Sequence, residues 1–164
     1  MIKIVLLAKI ILLSIILAFP AKGGELENGI TAYQAKEFSK AMEMLVPLAN
    51  DGIAEAQFYV GMMYDFGKGT IQDDIRASGW YEKAAKQGHA RAQFGVARMW
   101  DQGEGIPGRM DLSWAWASLA AEQEISEAAK LQRDLEKLMT EQEMKGAIKE
   151  ADRLRQAYLV PFRN

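Results

Sequence analysis

Cysteine is absent from all 164 residues, and histidine occurs once. Without cysteine there is no disulfide framework, and no lipid-anchored bacterial lipoprotein, whose cleavage site requires one. A single histidine cannot supply the three or four nitrogen or sulfur ligands of an ordinary zinc site. No acidic loop has calcium-hand spacing. Basic runs are missing too. The chain holds 20 basic and 22 acidic residues, without the electrostatic footprint of a nucleic-acid binder. The sequence has no phosphate loop and no glycine-serine elbow. A serine-x-x-lysine motif is also missing, since Ser126 is followed by Lys130 four residues on. Gly67 and Gly69 follow a helical pattern rather than a strand, so they are no dinucleotide fingerprint. His89 reads as a helix-start residue, and Glu122, Glu124, Glu127, Glu136, Glu141 and Glu143 read as solvated helix faces. No catalytic residue, metal ligand or cofactor is expected.

What is present begins with a segment unlike the rest. Lys3 precedes an apolar stretch from Ile4 to Phe19, broken by Lys9 and Ser14, and then come Pro20 and Ala21-Lys22-Gly23. That order predicts a secretory signal peptide over residues 1–23. The alternative is an uncleaved anchor, but the clean run Ile10–Phe19 is short of the roughly 20 apolar residues of a membrane span. Cleavage removes three lysines and no acid. The remainder then carries 17 basic and 22 acidic residues, a net charge of −5. The expected location is outside the cytosol, in a bacterial periplasm, with no nucleic-acid partner and no stable membrane insertion after cleavage.

The body of the sequence repeats itself at an offset of 36. Ala54-Glu-Ala-Gln-Phe58 recurs as Ala90-Arg-Ala-Gln-Phe94. The same shift carries Gly52 to Gly88, Tyr64 to Trp100, Gly67 to Gly103, Trp80 to Trp116 and Ala84-Ala85 to Ala120-Ala121. Each unit reads as two helices. Apolar residues at 56, 60, 63 and 64 mark the first, from Ala54 to about Phe66, and Gly67-Lys68-Gly69 breaks it. Asp73 or Asp74 caps the second, whose apolar side is Ile75, Trp80, Tyr81, Ala84 and Ala85, and Gly88 ends it. Small residues, Gly61 among them, are expected where helices meet closely.

This pattern resembles the Sel-one-like repeat family, relatives of the tetratricopeptide repeats. The motif is carried by Ala56, Val60-Gly61, Tyr64, Gly67, Gly69, Asp73, Arg76-Ala77, Trp80-Tyr81, Ala84-Ala85 and Gly88. The next unit matches with Ala92, Val96-Ala97, Trp100, Gly103, Gly105, Trp116, Ala120 and Ala121. There Arg109, Leu112 and Ser113 replace the aspartate and the lysine-alanine pair, and Glu124 replaces the closing glycine. Residues 26–51 resemble a tetratricopeptide unit through Gly29, Ala32, Phe38, Ala41, Leu45 and Leu48.

The resemblance implies an all-α fold: a short α/α solenoid of helix-turn-helix repeats over residues 24–124 (about 26–51, 52–87 and 88–123). Residues 125–164 would form a C-terminal helical cap. Two stripes serve it, Leu131, Leu135, Leu138 and Met139, then Met144, Ala147, Ile148, Ala151, Leu154 and Tyr158, joined by a Thr140–Glu143 capping box.

The resemblance also implies a protein-binding module rather than an enzyme: an adaptor, an envelope regulator or an immunity-type inhibitor. Its expected partner is another protein or a peptide, held on a concave face lined by first helices. Candidate contact residues are Tyr33, Phe58, Met62, Asp65, Phe66, Arg98 and Asp101, with Gln34, Phe94 and Gln102 beside them. The rival expectation is a cell-envelope hydrolase, β-lactamase-like or peptidoglycan-acting. The cysteines of family members associated with penicillin hydrolysis are missing here.

Overall fold

A computed structural model describes residues 23–104 and 108–158. Most of the expected signal segment therefore lies outside the described residues. Eight helices and no strand are found among the described residues. Helix α1 covers residues 23–34, α2 Phe38–Asn50, α3 Ala54–Asp65, α4 Asp74–Ala85, α5 Ala90–Gln102, α6 Met110–Ala121, α7 Ser126–Glu136 and α8 Glu141–Tyr158. From α2 to α7 each helix packs on the next. No helix of the described residues is long and apolar enough to cross a membrane.

Small residues set the helix spacing. Ala56, Ala77, Ala84, Ala92 and Ala120 have no exposed surface. Tyr81 of α4 lies against two glycines: a Cβ at Gly61 of α3 would come 2.8 Å from its ring, and one at Gly95 of α5 3.1 Å. Real Cβ atoms do not approach a ring as closely as the first of these. The bare backbone of α3 is what lets α4 settle onto it.

Each second helix ends in the same way. The amides of Ile53, His89 and Ile125 donate to the carbonyls of Leu48, Ala84 and Ala120 at 3.1, 3.2 and 3.2 Å, a Schellman closure that needs a left-handed residue just before. That residue is Gly52, Gly88 and then Glu124, at φ +91°, +86° and +67°. Glu124 thus adopts the conformation of the glycine it replaces. The expected departure at Ser113 is equally local. Ser113 stands 36 residues after Ala77, both wholly buried, and its hydroxyl donates to the Ala97 carbonyl at 2.8 Å. Asp73 caps α4, accepting from the Arg76 amide at 2.9 Å.

A glutamine ladder runs through the stack. The Gln57 amide donates to the Ala49 carbonyl and Gln93 to that of Ala85; Gln87 and Gln123 then donate to the side-chain oxygens of Gln57 and Gln93, at 2.8 and 2.7 Å. The same bonds recur 36 residues apart, and they satisfy side chains that would be costly to bury unpaired.

Beyond α6 the regularity stops. Helices α7 and α8 both pack on α6 and make little contact with one another. Arg155 of α8 bonds Glu122 at the end of α6, and Tyr158 stacks on Trp116 at 6.2 Å. The Thr140–Glu143 capping box is formed, with the Thr140 amide donating to Glu143 at 2.7 Å and the Glu143 amide to the Thr140 hydroxyl at 3.3 Å.

Three stripe residues depart from expectation. Leu138 is 71% exposed because α7 ends at Glu136 before reaching it; Ile148 faces outward beside the buried Ala147; Ile75 is 72% exposed on the first turn of α4. Trp80, Tyr64 and Trp100 are only partly buried.

Candidate functional site

The repeat places corresponding residues of successive first helices side by side. Phe58, Met62 and Phe66 of the α3 segment correspond to Phe94, Arg98 and Gln102 of α5, and to Lys130, Asp134 and Leu138 at α7. The ladder is apolar at α3 and increasingly charged towards α7. Between these helices lies a groove of ≈ 360 Å³. Phe58, Met62, Phe66 and Phe94 form its apolar walls, while Arg98, Arg91 and Glu127 supply charge. A second depression of ≈ 300 Å³ shares Phe94 and Arg98, adding Asp101, Lys130, Leu131 and Asp134.

Six of the seven expected contact residues line these two depressions. Two of them are not the open contacts that the sequence suggests. Phe58 is only 6% exposed, its ring stacked on His89 at 4.7 Å and close to Tyr59 and Tyr81. Asp65 is 5% exposed and already partnered: the Tyr81 hydroxyl donates to it at 2.9 Å, and Arg98 pairs with it. Both are buried because α3 is flanked by α2 and α4 in the stack, so one stripe of apolar residues understates its burial. Met62 and Arg98 are partly exposed, and Phe66 is 57% exposed. Tyr33 lies apart from the groove wall. It packs edge-on against Tyr59 and Phe38 at 5.1 and 5.5 Å, and its hydroxyl accepts from Lys68 at 2.9 Å. Gln34 is exposed, and Gln102 accepts from Arg98 at 2.7 Å.

The groove floor is electrically settled. Burial pushes the Tyr81 hydroxyl well above the usual phenol range, reinforced by the Asp65 carboxylate, so Tyr81 remains a hydrogen-bond donor. Burial works against the charge of Arg98, but the hydrogen bond and the nearby charge of Asp65 outweigh it and raise its pKa. Glu104 takes a further Arg98 donor at 2.7 Å. This cluster fixes α5 to α3 rather than offering a reactive group.

His89 has a structural role of the same kind. Its Nδ1 accepts from the Ala92 amide at 3.1 Å, capping α5, and its Nε2 lies 2.8 Å from Glu55. With Nδ1 accepting, the ring proton sits on Nε2 and donates to that carboxylate. Among the described residues no group of three His, Cys, Asp or Glu side chains is placed to hold a metal ion.

Sequence reasoning missed the contribution of α7. Glu124, Ile125, Ser126 and Glu127 close one end of the groove, and none of them is among the expected contact residues. The signal was available: the shift of 36 carries Glu55 to Arg91 and on to Glu127.

Stacked two-helix units with a groove across their first helices define a helical-repeat protein. The Sel1 repeat family matches twice, over residues 54–89 and 90–124. The chain carries two Sel1 repeats, α3–α4 and α5–α6 with their closing turns. Solved structures agree. A protective antigen present in uropathogenic Escherichia coli strains, displaying an SLR fold, aligns over 85% of this chain and 31% of its own, with a TM-score of 0.81 and 24% identity. A Sel1 repeat protein from Oxalobacter formigenes aligns over 63% of this chain and 41% of its own, with a TM-score of 0.61 and 36% identity. The chain thus spans well under half the length of either. Comparison with curated proteins gives no significant match.

Proposed function

We propose that this chain is an exported interaction module whose first-helix groove holds a segment of a partner protein. Sel1 repeat proteins generally mediate protein–protein interaction, and their fold is typically a non-catalytic scaffold. One observation carries the reading to a surface of this protein. Met62, Phe66 and Phe94 line one groove across α3 and α5, flanked by charged residues at the start of α7. Aromatic and methionine side chains supply contact area at protein interfaces, and charged rims set register. The same geometry serves an adaptor, an envelope regulator and an immunity-type inhibitor, whether the partner is a receptor to be bridged or an enzyme to be blocked.

Export is the second half of the proposal, supported by the Lys3, apolar run and Ala21-Lys22-Gly23 order. Intact mass of the protein from the producing cell should begin near Gly24, and full-length protein in the cytosol would exclude it. For the groove, the test is binding of a captured partner to Met62→Ala, Phe66→Ala and Phe94→Ala. At least one central position should lose about thirtyfold in affinity at unchanged melting temperature. Parental affinity in all three would move the interface elsewhere.

A further inference from the structure

Beside the groove, two residues beyond Phe66 of its wall, a lysine is held without a counter-ion. Lys68 sits in the turn after α3, and its Nζ lies 5.1, 5.6 and 5.3 Å from the ring centroids of Tyr33, Phe38 and Phe66. Its one side-chain hydrogen bond is to the Tyr33 hydroxyl, at 2.9 Å. No described carboxylate lies within ion-pair distance of it, whereas the partly buried Arg98 and Arg155 each have two. The turn itself is fixed. The Lys68 amide bonds the Met63 carbonyl at 2.8 Å, and Gly69 fits so closely against Phe38 that a Cβ would lie 2.7 Å from its backbone.

We infer that Lys68 and Tyr33, which adjoin the groove across Phe66, form a carboxylate-receiving end for its occupant, so that the bound segment carries an acidic group beside its apolar anchors. This rests on the groove reading proposed above. The Phe38 and Phe66 rings restrain the ammonium by cation–π attraction and the Tyr33 hydroxyl by its hydrogen bond, which leaves its remaining N–H donors unspent. The Tyr33 hydroxyl accepts from Lys68 and still has its own hydrogen to give. Two donors are therefore presented together, already ordered, which lowers the entropy cost of receiving a carboxylate. Phe66 links them to the groove: it lies beneath Lys68 and also lines the groove wall, with Arg98 at 6.0 Å from its ring. The carboxylate can come from the side group of an Asp or Glu or from a free C-terminus.

The test uses synthetic dodecapeptides with Leu, Met and Phe randomised over the central positions. One flanking position is Glu, Gln or Lys, and each set is made with both amidated and free-acid C-termini. Peptides are selected on the immobilised, unaltered protein and titrated by fluorescence anisotropy. The Glu set, or the free-acid set if the terminus is the source, should be enriched. Selected peptides should lose about tenfold in affinity when the carboxylate becomes an amide. Lys68→Met should cost a similar factor and Lys68→Arg less. Tyr33→Phe, which keeps the ring, should remove part of the effect. If acidic and amide peptides bind equally while Met62→Ala still weakens both, the carboxylate end is wrong and the groove reading survives. Enrichment of the Lys set would likewise overturn it, identifying the rings as a cation receptor. If no set binds, or Met62→Ala changes nothing, the groove reading falls and this inference with it.

Discussion

The two matched repeats use one backbone plan and different side chains to execute it. In both, the residue before the second helix donates its amide to the carbonyl of the first helix's aromatic: Asp73 to Tyr64 at 3.0 Å, Arg109 to Trp100 at 3.1 Å. Both end their second helix with the same closure, and both bury a glutamine on the preceding helix's last carbonyls. The differences are at the caps. Asp73 caps α4 with its carboxylate, whereas Arg109 gives α6 no side-chain cap and pairs with Asp111 instead. Gly88 closes the first repeat and Glu124 the second. The repeat therefore tolerates change where a side group only assists the backbone. Where that group fills space it changes in step with its neighbours, Gly61 and Tyr81 becoming Ala97 and Ala117, and where it satisfies a buried partner it is kept, as at Gln57 and Gln93.

The largest test of that distinction is steric. Gly61→Leu should cost more than about 3 kcal/mol or abolish folding, because overpacking alone costs about 1–3 kcal/mol and the ring it meets is fixed between α3 and α5. Gly95→Ala, on the other side of Tyr81, puts a Cβ in a tight contact at 3.1 Å from the ring, which offsets the about 1 kcal/mol of helix propensity it regains; it should be far milder than Gly61→Leu in thermal melts. Equal effects at the two positions would show that the Tyr81 contact is not what spaces the helices.

Next comes the glutamine ladder. Gln57→Leu and Gln93→Leu each remove a buried bond and release the following, exposed glutamine to solvent. Both should lower stability by about 1–3 kcal/mol in urea titrations, by similar amounts in the two repeats. A large asymmetry would mean that one rung is held mainly by its neighbours.

The smallest effects should have opposite signs. Gly88→Ala should destabilise by about 1–2 kcal/mol, because it forces a Cβ into the left-handed region. Glu124→Gly should stabilise by about 1 kcal/mol by relieving the same cost. A destabilised Glu124→Gly would assign the glutamate a contact beyond its turn.

The offset of 36 made most of this architecture readable. Ala54-to-Phe58 repeated as Ala90-to-Phe94 placed α3 and α5, Asp73 placed the start of α4, and Thr140 with Glu143 placed the start of α8. The candidate groove was only half legible. Met62, Phe66, Arg98 and Asp101 were found from their register and do line a groove or its extension. Phe58 and Asp65 were found by the same count but are buried, because a one-helix periodicity cannot show that α3 is covered on several sides. Lys68 carried no periodic signal, since it lies in a turn.

Local chemistry along the sequence was enough to determine the helices, their caps and their repeat, because hydrogen bonds four or five residues apart and left-handed closures depend only on near neighbours. Other features were decided only in three dimensions: the pairing of Asp65 with Tyr81 and Arg98, the caging of Lys68 by three rings, and the packing of both α7 and α8 on α6. Those depend on which surfaces the stacked helices bring within a few ångströms, and burial and charge pairing across 16 to 35 residues are settled by packing rather than by spacing.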